Sequence, residues 1–487
     1  SSRSGSCFVH SLQVLAQERR QITTLGRLPR RASKRPALAM ASELPGTSIV
    51  VVGPKGCGKS TALAHLCHLL GGFPEEEHTE CRSLAKDLGR PAGQHVWMLD
   101  RTREEREHGS SVEPSLASFR SSSFAYTAMD TPGDAGHSKN MLSVTSLSDV
   151  AVLVVPAVEG EFEVSVDNGR TRELALACFT MGIKNVVVWV TKMDDVSIKD
   201  PSARFEDIKK IVNNFLKEVG YKQKEVPFVP ISGILGGNLV VKSSEMHWYA
   251  GKPAVDVLDS LGPMARPAEK PLRLPVLKVC QHDEAGTIVV GRVETGSVRV
   301  GVKVVFSPSG YVGEVKSIRK DGQQVSEAKG GDIVSIAFGD AVPAEELHRG
   351  MVLSSASNDP AAEAESFLAQ VVVLDHPGRI RAGYCPAIAI HTAQIPCEFE
   401  ELVSLIDRKT GKEAKANPES ATSSEVLTVR MRPRVGICVE AFSAYPSLGR
   451  FAIRDHGRTI AVGVIKEVTK RSVPKARTAG SNEYFDN

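Results

Sequence analysis

Hydrophobic positions along this 487-residue chain follow two regimes. From Thr47 to about Leu261, short β-branched apolar runs alternate with stretches whose apolar residues recur at helical spacing. The runs Ser48–Val52, Phe124–Met129, Ala151–Val155, Val186–Val190 and Val226–Val229 read as strands. Between and after them, helices are predicted over Ser60–Leu70, Ser138–Ser146, Asn168–Met181, Pro201–Val219 and Val255–Leu261. Such alternation predicts an α/β domain, a mostly parallel sheet with helices on both faces. Ligands of such sheets sit at the carboxyl ends of the strands. A Pro-rich linker from Gly262 to Pro275 closes this part.

From Val276 the period changes to two, with glycine turns, in GTIVVGRVETGSVRVGVKVVF and GDIVSIAF. No helix of any length is expected before about Ser355, which predicts a β-barrel. After SNDPAAEAE the alternation resumes through FLAQVVVLDHPG, PAIAIHTAQIPCEFEELV, VLTVRMRP and RFAIRDHGRTIAVGVIKEV, a second barrel. The expected division is therefore 46–262, 263–357 and 358–470. It is flanked by a basic leader over 1–45 and a disordered tail over 471–487.

Charge alters the picture only at the start of the chain. Residues 1–40 carry seven Arg and one Lys against Glu18, while the whole chain sums to +3, so the remainder is slightly acidic. Any nucleic-acid contact must then come from local basic patches. The leader suits an organelle transit peptide in composition. The alternative is untranslated sequence, with Met40, the first methionine, as the working start. Nine cysteines without a C-x-x-C pair argue for a reducing compartment rather than a disulfide framework or a zinc site. A cytoplasmic location is expected, with import into an organelle if the leader is real. No apolar run is long enough to span a membrane.

The first strand runs into Gly53, Pro54, Lys55, Gly56, Cys57, Gly58, Lys59, Ser60 and Thr61, the spacing G-x-x-x-x-G-K-S. A glycine-rich turn lets backbone N–H groups close on phosphate oxygens, and the following helix presents its positive end to the same anion. Lys59 would reach the outer phosphates and Ser60 would ligate Mg²⁺. At the next strand end, Asp130 of Asp130-Thr131-Pro132-Gly133 is placed to hold Mg²⁺ through water, and Gly133 to bond the terminal phosphate. Further on, Thr191-Lys192-Met193-Asp194 offers Asp194 to the guanine N1/N2 edge, with the Lys192 stem over the base. Ser232-Gly233 could reach guanine O6. Each tetrapeptide alone is a common surface turn. In this order, each after a strand, they select GTP and GDP over adenine nucleotides.

The chain resembles the translational GTPases, the elongation factor 1-alpha family in particular. The resemblance covers about residues 46–468. It rests on Lys139-Asn140-Met141, Gly160-Glu161-Phe162-Glu163, Thr171-Arg172-Glu173 and VPFVPISG, and in the barrels on GRVETG, HPGRIRAGY, HTAQIPC and VEAFSAYPSLGRFAIRD. It implies a P-loop domain with two barrels, and GTP-dependent delivery of aminoacyl-tRNA to the ribosome by a monomer served by an exchange factor. The alternative is a divergent paralogue that binds the nucleotide, hydrolyses it slowly and acts as a binding or regulatory protein.

The departures from the family pattern fall in the catalytic parts. Pro54, Lys55 and Gly56 replace His, Val and Asp. Asp134 stands where the family has the histidine that orients the attacking water. The first switch loop keeps a hydroxyl at Ser111, a metal ligand by resemblance, but has Ser110 for isoleucine. Thr191 replaces Asn. By the same resemblance Glu294 and Ile333 line the pocket for the tRNA end, Ile333 replacing an Asn. Lys55 is expected either to pair with Asp134, to act as a cation on the transferring phosphoryl group, or, with Asp134, to point into water.

Overall fold

The computed structural model describes residues 44–471, apart from 91–92, 101–104, 107–113, 135–137, 168, 223–225, 265–268, 283–284, 340–341, 375, 408–409, 411 and 456–457. Ser110, Ser111, the leader up to residue 43 and the tail from residue 472 lie outside the described residues.

Six strands form the first sheet: β1 (Gly46–Val52), β2 (Ser115–Arg120), β3 (Ala125–Asp130), β4 (Val150–Pro156), β5 (Asn185–Thr191) and β6 (Phe228–Pro230). Their spatial order is β2-β3-β1-β4-β5-β6. All neighbours are parallel except β2, which pairs antiparallel with β3. The strand β4, VAVLVVP, is buried at every position. That is the signature of a parallel strand covered on both faces. Accordingly there are two apolar layers. One joins Ile49, Val51 and Trp189 to Leu63 and Leu66, and the other joins Val50, Leu153 and Val188 to Phe205 and Val212.

The helices are α1 (Lys59–Leu69), α2 (Glu75–Asp87), α3 (Gly93–Val96), α4 (Ser138–Thr145), α5 (Glu161–Asp167), α6 (Arg170–Thr180), α7 (Pro201–Val219) and α8 (Ala254–Ser260). The bounds of α7 follow from local chemistry. The Asp200 side chain accepts a hydrogen bond from the Ala203 amide at 3.0 Å, Pro201 occupies the first turn, and Gly220 closes the helix at φ 120°.

Three features depart from the sequence expectation. The strand β2 was not predicted, because SLASFR pairs only along one side and half its residues are polar. The helices α2 and α3 were not predicted either; EEEHTECRSLAKD buries only His78, Cys81 and Ala85, so no apolar stripe marks it. The expected helix over 168–181 is α6 alone, preceded by α5. Gly169, at φ 70°, separates them.

The second domain wraps an eight-stranded antiparallel sheet around Leu274, Val289, Phe306, Ile336, Phe338 and Leu353. In the third, Ala387–Ile390 pairs with both Arg450–Asp455 and Ala393–Ile406, closing six antiparallel strands into a barrel, and a seventh strand, Glu413–Ala416, pairs on one side with Ala393–Ile406. Its core sets Phe367 edge-to-face with Phe451 and includes Phe399 and Val429.

Buried charges hold the domains together. Arg273, wholly buried, bonds Glu440 Oε1 at 3.0 Å and Asp359 Oδ2 at 2.8 Å and lies over the Tyr445 ring. Arg292 of the second domain pairs with Asp149, which in turn accepts from the Ser48 amide and hydroxyl on β1. Removing one partner of such a pair would strand a buried charge at about 3–5 kcal/mol.

Candidate nucleotide-binding site

Every residue of the phosphate loop stands at the carboxyl end of β1. Gly53 is irreplaceable on steric grounds, since a Cβ there would lie 2.5 Å from the Val154 carbonyl oxygen and 2.7 Å from Cys57 Sγ. Gly56 and Gly58 take φ of +79° and +88°, which glycine alone adopts without strain. Gly58 caps α1 without a side-chain hydrogen bond, so the first amides of that helix are left to an anion. Pro54 and Cys57 are buried, Lys55 and Gly56 exposed, and Thr61 half-buried on α1.

Beneath the loop the charged groups converge. Lys59 is buried and its Nζ donates to the Pro54 carbonyl at 3.1 Å. The Ser60 hydroxyl donates to Asp130 Oδ2 at 2.5 Å. Asp130 is itself buried, and desolvation pushes its carboxyl up to about 6 against the opposing pull of Lys59 and Ser60. Its other oxygen, Oδ1, is buried with no hydrogen-bond partner among the described residues. A hard divalent cation is what this donor set suits: a carboxylate oxygen in need of a partner beside a serine hydroxyl. Thr131 fixes the turn by donating to the Val51 carbonyl at 2.7 Å. Gly133 lies against the loop so closely that a Cβ would come within 2.8 Å of the Lys55 amide nitrogen and 2.7 Å of Lys59 Nζ.

The edge of the site is built differently. Lys55 and Asp134 are both exposed, and among the described residues no ion pair joins them. The carbonyl of Asp134 accepts from Arg170 Nη2 at 3.4 Å, and Arg170 is paired with Glu173 at 2.9 Å. Arg454 of the third domain approaches the same Glu173 at 3.8 Å. This link from the barrel to the turn after β3 was not visible in the sequence.

On the base side, Thr191 is buried and its hydroxyl donates to the Cys57 carbonyl at 2.5 Å, tying the end of β5 to the phosphate loop. Lys192 stands at φ 60° with its ammonium paired to Glu161 at 2.6 Å. Asp194 is exposed. Ser232 is buried and accepts from the Leu235 amide at 3.0 Å, while the Gly233 carbonyl lies 2.9 Å from His65 Nδ1. Asn238 holds this loop by donating to the Pro230 carbonyl and accepting from the Ser243 amide. Sequence reasoning missed Glu161, His65 and Asn238 as supports. For Glu161 the GEFE stretch was the available signal.

In the second domain, Glu294 is 3.7 Å from Arg292 Nη1 and so joins the Arg292–Asp149 pair at the seam. Ile333 is half-buried against the apolar layer of the nucleotide domain.

The site defines a P-loop nucleotide-binding protein with two appended β domains. Residues 45–266 match the family described as elongation factor Tu GTP binding domain, 286–354 elongation factor Tu domain 2, and 366–466 the GTP-eEF1A C-terminal domain-like family. The chain is 40% identical over 425 residues to elongation factor 1-alpha of Tetrahymena pyriformis, covering 87% of this chain and 98% of the relative. It is 42% identical to that of Entamoeba histolytica, covering 91% and 100%. This chain belongs to the elongation factor 1-alpha family of translational GTPases. Among solved structures, the GTP-bound GTPase-like domain of Saccharomyces cerevisiae Ski7 shares the fold at TM-score 0.71 and 18% identity, over 87% of this chain and 97% of that one. Elongation factor SelB of Methanococcus maripaludis does so at TM-score 0.64 and 18% identity, over 88% and 81%.

Proposed function

We propose that the chain binds GTP and GDP with Mg²⁺ and uses the GTP state to carry aminoacyl-tRNA to the ribosome, aided by an exchange factor. The observation that carries this reading is the buried Lys59–Ser60–Asp130 group under a glycine loop, at the ends of parallel strands. Lys59 would neutralise the outer phosphates, and the amides at the start of α1 would bind their oxygens. Ser60 and Asp130 would hold Mg²⁺, which supplies charge neutralisation between the outer phosphates when bound. Asp194 would accept from the guanine edge, and Ser232 and Gly233 would meet its O6 with backbone amides. Thr191 positions the loop rather than the base, through its bond to Cys57. Filter binding of GTP-loaded protein to charged and uncharged tRNA tests the delivery role; a preference for charged tRNA is expected, and equal retention of both counts against it.

A second reading has its own observations. Asp134 is a carboxylate at the position of the family's water-orienting histidine, where like charge from the γ-phosphate opposes it. Ile333 faces the nucleotide domain and cannot replace an amide's hydrogen bonds, whose loss costs about 1–3 kcal/mol. On these grounds the protein would bind the nucleotide and hydrolyse it slowly, serving as a binding partner of the translation machinery. Single-turnover hydrolysis on ribosomes separates the two readings.

A further inference from the structure

Two stacked imidazoles lie against the loop that begins at Ser232. His65 of α1 and His95 of α3 are both buried, with ring centres 3.9 Å apart and planes 11° from parallel. His65 Nδ1 is 2.9 Å from the Gly233 carbonyl oxygen, which can only accept, so the ring donates from Nδ1. His95 bonds the backbone of the next residue, Ile234. Its Nδ1 is buried with no hydrogen-bond partner among the described residues, which leaves Nε2 to donate. The loop is pressed onto the pair. Gly236 stands at φ 78°, and a Cβ there would lie 2.9 Å from His65 Cε1. Behind the pair, His78 of α2 lies 5.3 Å from His95 and stacks on His68 of α1 at 3.8 Å.

Apolar side chains would fill this space without burying ring nitrogens, whose desolvation is costly unless they are bonded. Desolvation lowers the proton affinity of both rings, that of His95 to about 3. Each ring is therefore neutral at pH 7 with a single N–H, and the two N–H groups go to successive residues of one loop. A peptide group is planar and trans, so a carbonyl held toward a ring turns the amide of the same peptide to the opposite side. The amides of Gly233 and Ile234 have no partner among the described residues.

We propose that His65 and His95 are positioning residues for the base: by holding consecutive carbonyls of the loop, the pair aims the Gly233 and Ile234 amides at guanine O6. The inference rests on the assignment of this loop to the guanine base and adds what holds it in place. One ring comes from the helix that starts with Lys59 and Ser60, so α1 serves the phosphates at its first turn and the base loop at His65.

The test is calorimetry of the nucleotide-free full-length protein with GDP and with 6-thio-GDP, whose sulfur is a weak acceptor in place of O6. Wild-type protein should prefer GDP about tenfold. His65→Leu and His95→Leu should weaken GDP by about that factor and 6-thio-GDP hardly at all, so that the preference disappears. His65→Asn can place an amide N–H near the Nδ1 position and should restore it, whereas His65→Gln, whose amide reaches further, should not. That second pair of variants keeps a polar side chain and decides the matter even if the Leu variants do not fold. Equal weakening of both nucleotides, an undiminished preference in the Leu variants, or the same preference in His65→Asn and His65→Gln overturns the proposal. Wild-type protein that binds neither nucleotide is a separate result, which removes the nucleotide site itself and the proposal with it.

Discussion

The floor of the proposed nucleotide site and its edge at Lys55 and Asp134 lie a few residues apart and are built in opposite ways. On the floor Lys59 and Asp130 are buried, Ser60 is bonded to Asp130, and Gly53 and Gly133 are held by contacts that leave no room for a Cβ. At the edge Lys55 and Asp134 are exposed on the turns that the floor supports. Binding needs fixed amides and a buried cation, which the fold imposes through close packing. Hydrolysis needs one oriented side chain at the surface, and that position can change without disturbing the packing. On the proposed function, affinity for the nucleotide and its turnover rest on separate parts of this site.

The largest effect should come from the floor. Lys59→Ala removes a buried cation from beneath the phosphates and should weaken GTP and GDP by about 4 kcal/mol, roughly a thousandfold, in calorimetry. Retained affinity would break the contrast at its stronger side. The next effect lies in the barrel and calibrates the pH range in which site measurements can be made. His391 is buried, with Nε2 3.1 Å from the Cys438 carbonyl, and desolvation lowers it to about 4. Unfolded, it titrates near 6.5, so the unfolded chain takes up the proton first as pH falls. Its contribution to stability is full above pH 6.5 and is lost, to the extent of about 3 kcal/mol, as pH falls to about 4. Denaturant titrations at several pH values should show that slope in the wild type and a reduced one in His391→Asn, a residue that tolerates the φ of 39° found there. The smallest of the three effects belongs to the edge. Asp134→His should raise single-turnover hydrolysis on ribosomes about tenfold, worth about 1.4 kcal/mol in the barrier, with GTP affinity unchanged. An unchanged rate would mean the edge is not where hydrolysis is limited.

Much of the domain plan could be read in the chain because its periodicities are strong. The all-apolar VAVLVVP announces a buried parallel strand, and Pro201 with Gly220 brackets a helix whose bounds match the expectation. The phosphate loop was legible for a different reason: its glycines answer to backbone geometry, and only that residue type permits it. The helix α2 was not legible. Its buried residues are a histidine, a cysteine and an alanine, and none of them forms an apolar stripe. The edge strand β2 was missed because an antiparallel partner on one side suffices to recruit a half-polar segment.

By itself the sequence determined the plan of an alternating α/β part followed by two β parts, the glycine-lined phosphate loop and the identities of the charged groups at the strand ends, because these depend on local periodicity and on the chemistry of short segments. Tertiary structure decided which of those groups are buried and what each one faces. Asp130 acquires its raised proton affinity only once β3 lies beside β1 and the carboxyl is buried, with Lys59 pulling the other way. Glu294 and Ile333 turn out to lie at the seam with the nucleotide domain, and the His68 ring meets that of His78 because α1 and α2 both pack on α3. Burial and long-range contact are properties of the assembled chain, so no window of residues carries them.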